Sequence, residues 1–83
     1  MSLQILYFAS VREALGAGEV VPHVAQETVA LLRQRLRAIS PAHHDALAQD
    51  KRLRCAVNQN LSDMDRVVED GAEVAFFPPF TGG

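Results

Sequence analysis

Apolar residues along this chain fall into two patterns: short runs of β-favouring side chains, and one stretch where they recur every three or four positions. Leu3-Gln4-Ile5-Leu6-Tyr7-Phe8 belongs to the first pattern and predicts a central strand, mostly covered on both faces, that stops at Ala9. Ser10-Val11-Arg12-Glu13 has the form of a capping box, in which the serine hydroxyl accepts an N–H of the first turn and the glutamate reaches back. A short helix ending at Gly16 is expected there. Glu19–Val24 reads as a second strand, and Pro22 within it removes one ladder donor and so places it at a sheet edge.

The second pattern is clearest after Thr28, a suitable N-cap. Val29, Leu32, Leu36 and Ile39 form one apolar stripe, with Arg33, Gln34, Arg35 and Arg37 facing elsewhere. Pro41 either ends this helix or, with Ser40 as cap, opens another short helical piece through about Ala48. Leu53-Arg54-Cys55-Ala56-Val57 alternates with period two, which turns Leu53, Cys55 and Val57 inward. Asn58-Gln59-Asn60 is a turn, and Asp70-Gly71 is another, immediately before the last strand, Glu73–Phe77.

The order strand, short helix, edge strand, long helix, strand, turn-rich segment, strand predicts an α+β fold of β-grasp, ubiquitin-like layout. It has a mixed sheet of four or five strands, one main helix across it, and one or two short helices. In that layout the first and last strands lie side by side and parallel, joined through the helical crossover. Phe8 and Phe77 then meet at one end of the sheet. Alternation places Val74 and Phe76 in the core and Phe77 on the other face, where it serves either as a docking surface or as a ring covering the edge of the core.

With 83 residues the chain can bury one modest core, so one domain is expected, residues 1–77, followed by a flexible tail, residues 78–83. A net charge of −2 with interspersed signs gives no footprint for nucleic acid or an anionic membrane, and neither is an expected partner. A single cysteine, the lack of a signal-like amino terminus, and the absence of an apolar stretch near the ~20 residues of a membrane span all fit a reducing cytoplasm.

Candidate chemistry concentrates in the tail. Pro78 and Pro79 end the sheet pairing and aim the chain outward, and Phe80, Thr81, Gly82 and Gly83 follow. Fully extended, Pro78 to Gly83 reaches ~20 Å. Gly82 and Gly83 lack a Cβ, so a narrow channel can close round the backbone and a reactant can approach the terminal carbonyl. Elsewhere the signals are weak. Cys55 is in phase with the core; His43 and His44 are adjacent and far from His23, with no ligand partner at metal spacing, so no metal site is expected. Asp63, Asp65, Glu69 and Asp70 read as a solvated acidic loop. Phosphate-binding, dinucleotide and nucleophile-elbow motifs are lacking, and the chain is not expected to catalyse a reaction alone.

Leu6-Tyr7-Phe8-Ala9, Val11-Arg12-Glu13, Ala56-Val57-Asn58-Gln59 and above all Asp70–Gly83, with its Phe-Phe-Pro-Pro-x-Thr-Gly-Gly ending, resemble the small, sulfur-carrier subunit of molybdopterin synthase. The resemblance covers nearly the whole chain. It implies that Gly83 is adenylated by an ATP-dependent, ubiquitin-activating-type adenylyltransferase and converted to a thiocarboxylate. The tail then enters a large subunit and donates sulfur to cyclic pyranopterin monophosphate in the course of molybdenum cofactor biosynthesis, usually within a heterotetramer of two small and two large subunits. No cofactor is held by the chain itself, ATP being consumed by the activating partner. The same resemblance points to docking through Phe8, Leu61 and Phe77, with a polar contact from Arg12. Phe80 stands where a smaller apolar residue is usual, so either the partner's channel is wider or the ring anchors at its mouth. The alternatives are a thiamine-pathway sulfur carrier, a ubiquitin-like modifier joined to target lysines, and a plain interaction domain. Lys51, the only lysine, argues against chain building through several lysines.

Overall fold

The structure, a computed structural model, describes residues 1–79. β1 (Ser2–Tyr7) buries Leu3, Ile5 and Tyr7 and exposes Ser2 and Gln4. It is therefore covered on one face, not two as its composition suggests, because every helix packs on the same side of the sheet. Phe8, extended at φ −131° and ψ 157°, follows the strand and is the N-cap of α1 (Ala9–Leu15). Ala9, at φ 53°, makes the sharp entry into the helix. Ser10 thus lies inside the first turn rather than before it, and the capping box expected there does not form: no side chain caps α1.

β2 (Gly18–Pro22) pairs antiparallel with β1 and is the sheet edge, as Pro22 requires, though it is shorter than the predicted Glu19–Val24. At Gly18 a Cβ would run into the Ile5 carbonyl oxygen, so the close approach of these two strands depends on glycine. α2 (Val29–Arg37) starts where Thr28 Oγ1 accepts the Leu31 N–H at 3.2 Å and lays Val29, Leu32 and Leu36 on the sheet, each fully buried. Burial on that scale contributes about 1.5–3 kcal/mol per side chain. Ile39 falls beyond the helix end and is half exposed.

Arg33, expected to face solvent, is 5% exposed. Its guanidinium donates to the carbonyls of Leu47 at 2.8 Å, Ala48 at 2.5 Å and Lys51 at 2.9 Å. Leu47 is the C-cap of α3 (Pro41–Ala46), and Ala48 and Lys51 lie in the segment that follows, so the guanidinium sits at the C-terminal end of that helix, which attracts a cation. Of the two readings open at Pro41, the structure has the second, a separate helix that ends at Ala46, with Ser40 Oγ accepting the His43 N–H at 3.2 Å. Burial pushes the Arg33 guanidinium down, with repulsion from Arg37 adding to it.

β3 (Arg54–Val57) and β4 (Asn60–Ser62) form a hairpin whose two-residue loop, Asn58-Gln59, has φ 51° and 70°. β4 occupies part of the segment read as a turn and supplies the fifth strand. β5 (Glu73–Phe77) begins after Gly71, at φ 82°, and pairs parallel with β1 and antiparallel with β3, giving the order β2-β1-β5-β3-β4. The predicted parallel pairing of first and last strands is therefore present, with Val74 and Phe76 fully buried. Leu3, Ile5, Tyr7, Cys55, Val57, Val74 and Phe76 share one core with Val11 of α1 and the α2 stripe. The architecture is β-grasp.

Candidate docking face and tail root

Because the helices cover one face of the sheet, the other is left open, and pairing decides which residues meet there. Leu6 pairs with Ala75, Ala75 with Ala56, and Ala56 with Leu61, so these four form one row across four strands. Leu61 is 71% exposed. Toward the end of the strands the next row holds Phe77, paired with Arg54, and beside it Phe8, whose N–H donates to the Phe76 carbonyl at 3.2 Å. The two alanines, small side chains between larger ones, leave a shallow apolar depression of about 290 Å³ lined by Leu6, Phe8, Ala56, Gln59, Glu73, Ala75 and Phe77.

The structure thus brings Phe8 and Phe77 into one depression, Phe8 42% exposed and Phe77 half-buried. Leu61 lies one row away, on the wall of a neighbouring groove that also includes Pro79. Arg12, exposed on α1, lines neither. Pro78 and Pro79 leave β5 half-buried at this same end, while Phe80, Thr81, Gly82 and Gly83, the outer part of the predicted tail, lie outside the described residues. Leu6, Ala56 and Ala75 were not singled out from the sequence. Their signal was the outward phase of each strand, legible only once the pairing of β3 with β5 is known.

The remaining candidates have structural partners. Cys55 is buried, its Sγ 3.2 Å from the Ser62 carbonyl oxygen, and burial followed by the nearby Asp63 charge pushes its thiol up, away from thiolate chemistry. His23 Nε2 meets the Val68 carbonyl at 3.0 Å. His44 lies between Arg37 and Asp45. Glu19 Oε2 accepts from the buried Tyr7 hydroxyl at 2.7 Å and sits 2.7 Å from His43 Nε2, which ties α3 to β1 and β2. Burial would raise the Glu19 carboxyl, but hydrogen bonds from His43 and Tyr7, with the His43 charge, outweigh it and hold the group below the usual carboxylate range. Burial, then the Glu19 hydrogen bond and charge, pushes the Tyr7 phenol up. In the acidic loop, Asp63 Oδ1 accepts the Asp65 N–H at 3.0 Å. Among the described residues no group of three or more His, Cys, Asp or Glu is placed to hold a metal ion, and no helix is long and apolar enough to cross a membrane.

The profile of the ThiS family matches residues 5–83, nearly the entire sequence. The chain belongs to the ThiS family. A relative in Escherichia coli (strain K12), named molybdopterin synthase sulfur carrier subunit, is 44% identical over 81 residues, 98% of this chain and 99% of its own length. The crystal structure of SAMP1 from Haloferax volcanii matches with a TM-score of 0.81 at 24% identity, over 100% of both chains. A complex of subunits 1 and 2 of molybdopterin-converting factor from Helicobacter pylori 26695 matches with a TM-score of 0.68 at 19% identity, again over 100% of both chains. At those identities the two structures establish the fold of this ThiS-family chain, and the Escherichia coli relative bears on its role.

Proposed function

We propose that this ThiS-family chain is a sulfur carrier in molybdenum cofactor biosynthesis, acting as the small subunit of molybdopterin synthase. The observation that carries this reading is the 44% identity, over nearly the full length of both chains, to a sulfur carrier subunit of that enzyme. The fold supplies a physical rationale. A domain with an open apolar face next to the root of a proline-led tail can dock by the face while the tail extends into a partner.

The chemistry takes place at Gly83. A free carboxylate is a poor electrophile, so its oxygen first attacks the α-phosphorus of ATP held by the activating enzyme, releasing pyrophosphate and leaving an acyl adenylate. Sulfur from an upstream donor then adds to the Gly83 carbonyl, AMP departs, and the end becomes a thiocarboxylate. The tail next enters the large subunit, where the thiocarboxylate sulfur bonds to a carbon of cyclic pyranopterin monophosphate and water then cleaves the acyl–sulfur bond, leaving the sulfur on the substrate and returning Gly83 to a carboxylate. Tethering the sulfur makes its delivery a positioned step and keeps it from water. Two sulfurs are needed for one dithiolene, hence two charged carriers, which fits a heterotetramer with two large subunits. Phe8, Phe77 and Leu61 seat the carrier, and Arg12 contacts the rim. The cycle runs in the cytoplasm.

Removing Gly83, or adding one residue after it, tests the reading. Loading of sulfur by the activating enzyme is lost while the thermal midpoint stays at the wild-type value, because Phe76, the last buried residue among those described, precedes the change by seven positions in sequence. Loading of either variant at the wild-type rate contradicts the proposal.

A further inference from the structure

We propose that a groove beside the tail root, walled by Arg52 and Arg54, receives an acidic segment of the large subunit and so sets the direction in which the tail enters. This rests on the carrier reading above and adds a second, charged element to the apolar face. The groove, of about 650 Å³, has Leu61, Met64 and Pro79 on its apolar walls, and Asp63 also borders it.

The seven arginines of this chain divide into the three of α2 and four exposed ones, Arg12, Arg52, Arg54 and Arg66, whose guanidinium groups have no partner among the described residues; of these four only Arg52 and Arg54 border the groove. Those of α2 are committed within the domain: Arg33 to three backbone carbonyls, Arg35 to both oxygens of Glu27 at 2.9 Å, and Arg37 to Gln34 and the His44 carbonyl. Arg52 and Arg54 are exposed, and neither guanidinium has a hydrogen bond or ion pair among the described residues. The fold does not use these two cations. They stand together at one place in a chain whose net charge is −2, so they form a local positive spot against an acidic background. Asp63 offsets only one of the two charges, and its Oδ1 is already engaged by the Asp65 N–H.

Position gives the spot its use. Arg54 is the cross-strand partner of Phe77, and Leu61 of Ala56, so residues of the groove and of the apolar depression are neighbours across the sheet. Pro79, the last described residue of the tail, forms part of its wall. A partner segment with an apolar side chain in the groove and a carboxylate facing the two guanidinium groups would lie alongside the tail as it leaves the domain. Charge at such a rim acts on the rate and orientation of docking more than on the final affinity. The large subunit is the occupant because it is the protein the adjoining face is proposed to seat.

The test is stopped-flow association of the intact carrier with its large subunit at low and high salt. Arg52→Glu combined with Arg54→Glu slows association about tenfold at low salt, and the difference vanishes at high salt. Arg66→Glu and Arg54→Glu change the net charge equally, but Arg66 is exposed away from the groove, and its reversal slows association less than twofold. Unchanged thermal midpoints confirm that all variants fold. Equal effects of Arg54→Glu and Arg66→Glu, no effect of the double variant, or slowing confined to the activating enzyme overturns the groove assignment while the carrier reading stands. Failure of the wild-type carrier to bind the large subunit at all overturns the carrier reading itself.

Discussion

Truncating Phe77 to alanine separates docking from folding, because its ring lies on the open face while Phe76, its neighbour in sequence, is fully buried in the core. Full burial of a phenylalanine side chain is worth about 1.5–3 kcal/mol. Phe77 is already largely covered in the isolated domain, so at most about a third of that, ~0.5–1 kcal/mol, remains for a partner to gain by covering it. Truncation also leaves the partner's facing surface unfilled, which adds a few tenths. The expected loss is therefore ~1 kcal/mol, or about fivefold in Kd. Isothermal titration calorimetry of the carrier with the large subunit measures it directly. Leu31→Ala is the matched control: Leu31 is 57% exposed but lies on α2, on the opposite side of the sheet, and its loss leaves Kd unchanged. Equal affinities for Phe77→Ala and wild type would remove the ring from the interface and, with it, the reason for placing docking on this face.

Two further predictions concern what holds the site in place. Arg33→Met removes three charge-assisted hydrogen bonds to backbone carbonyls and lowers unfolding free energy in urea by about 3 kcal/mol, and Arg33→Lys restores less than half, because an ammonium cannot span carbonyls fixed for a planar fork. An Arg33→Lys variant as stable as wild type would contradict this. Glu19 has a folded-state pKa below its unfolded one, so its contribution is complete above the ordinary glutamate value of about 4.3 and is lost as pH falls through the lower, folded value. Thermal melts from pH 6 to pH 2 should therefore show a shallower acid decline for Glu19→Gln than for wild type, and parallel declines would exclude the Tyr7–Glu19–His43 cluster as a source of acid sensitivity.

Much of this was legible in the sequence, and the misses have identifiable causes. The α2 stripe, its Thr28 cap, the Ser40-Pro41 start of α3 and the parallel pairing of β1 with β5 each follow from a local rule that tertiary packing did not override. Arg33 was misplaced because a 3.6-residue period describes one apolar face, whereas α2 is also flanked by α3, at whose C-terminal end the carbonyls need a donor. β4 was hidden because its one large apolar residue, Leu61, points away from the core and leaves no inward period to detect. Asn58, a residue type that tolerates the positive φ it and Gln59 adopt, was the available hint of a tight hairpin. Ser10 misled because the strand-to-helix junction leaves only Phe8 between β1 and α1, and Phe8 fills the cap position with its backbone alone. Of the site, the meeting of Phe8 and Phe77 was readable from strand phase; the row through Leu6, Ala75, Ala56 and Leu61 required the strand order.

The central claim, that the chain carries sulfur on its terminal glycine, is tested most directly by intact-mass analysis of the protein recovered from cells in which its activating enzyme and sulfur donor are present. The account predicts a population heavier by the difference between one sulfur and one oxygen, located by fragmentation to Gly83 and absent when the activating enzyme is removed. A mass equal to that of the unmodified chain in both backgrounds, with molybdopterin still being made from this carrier, would contradict it.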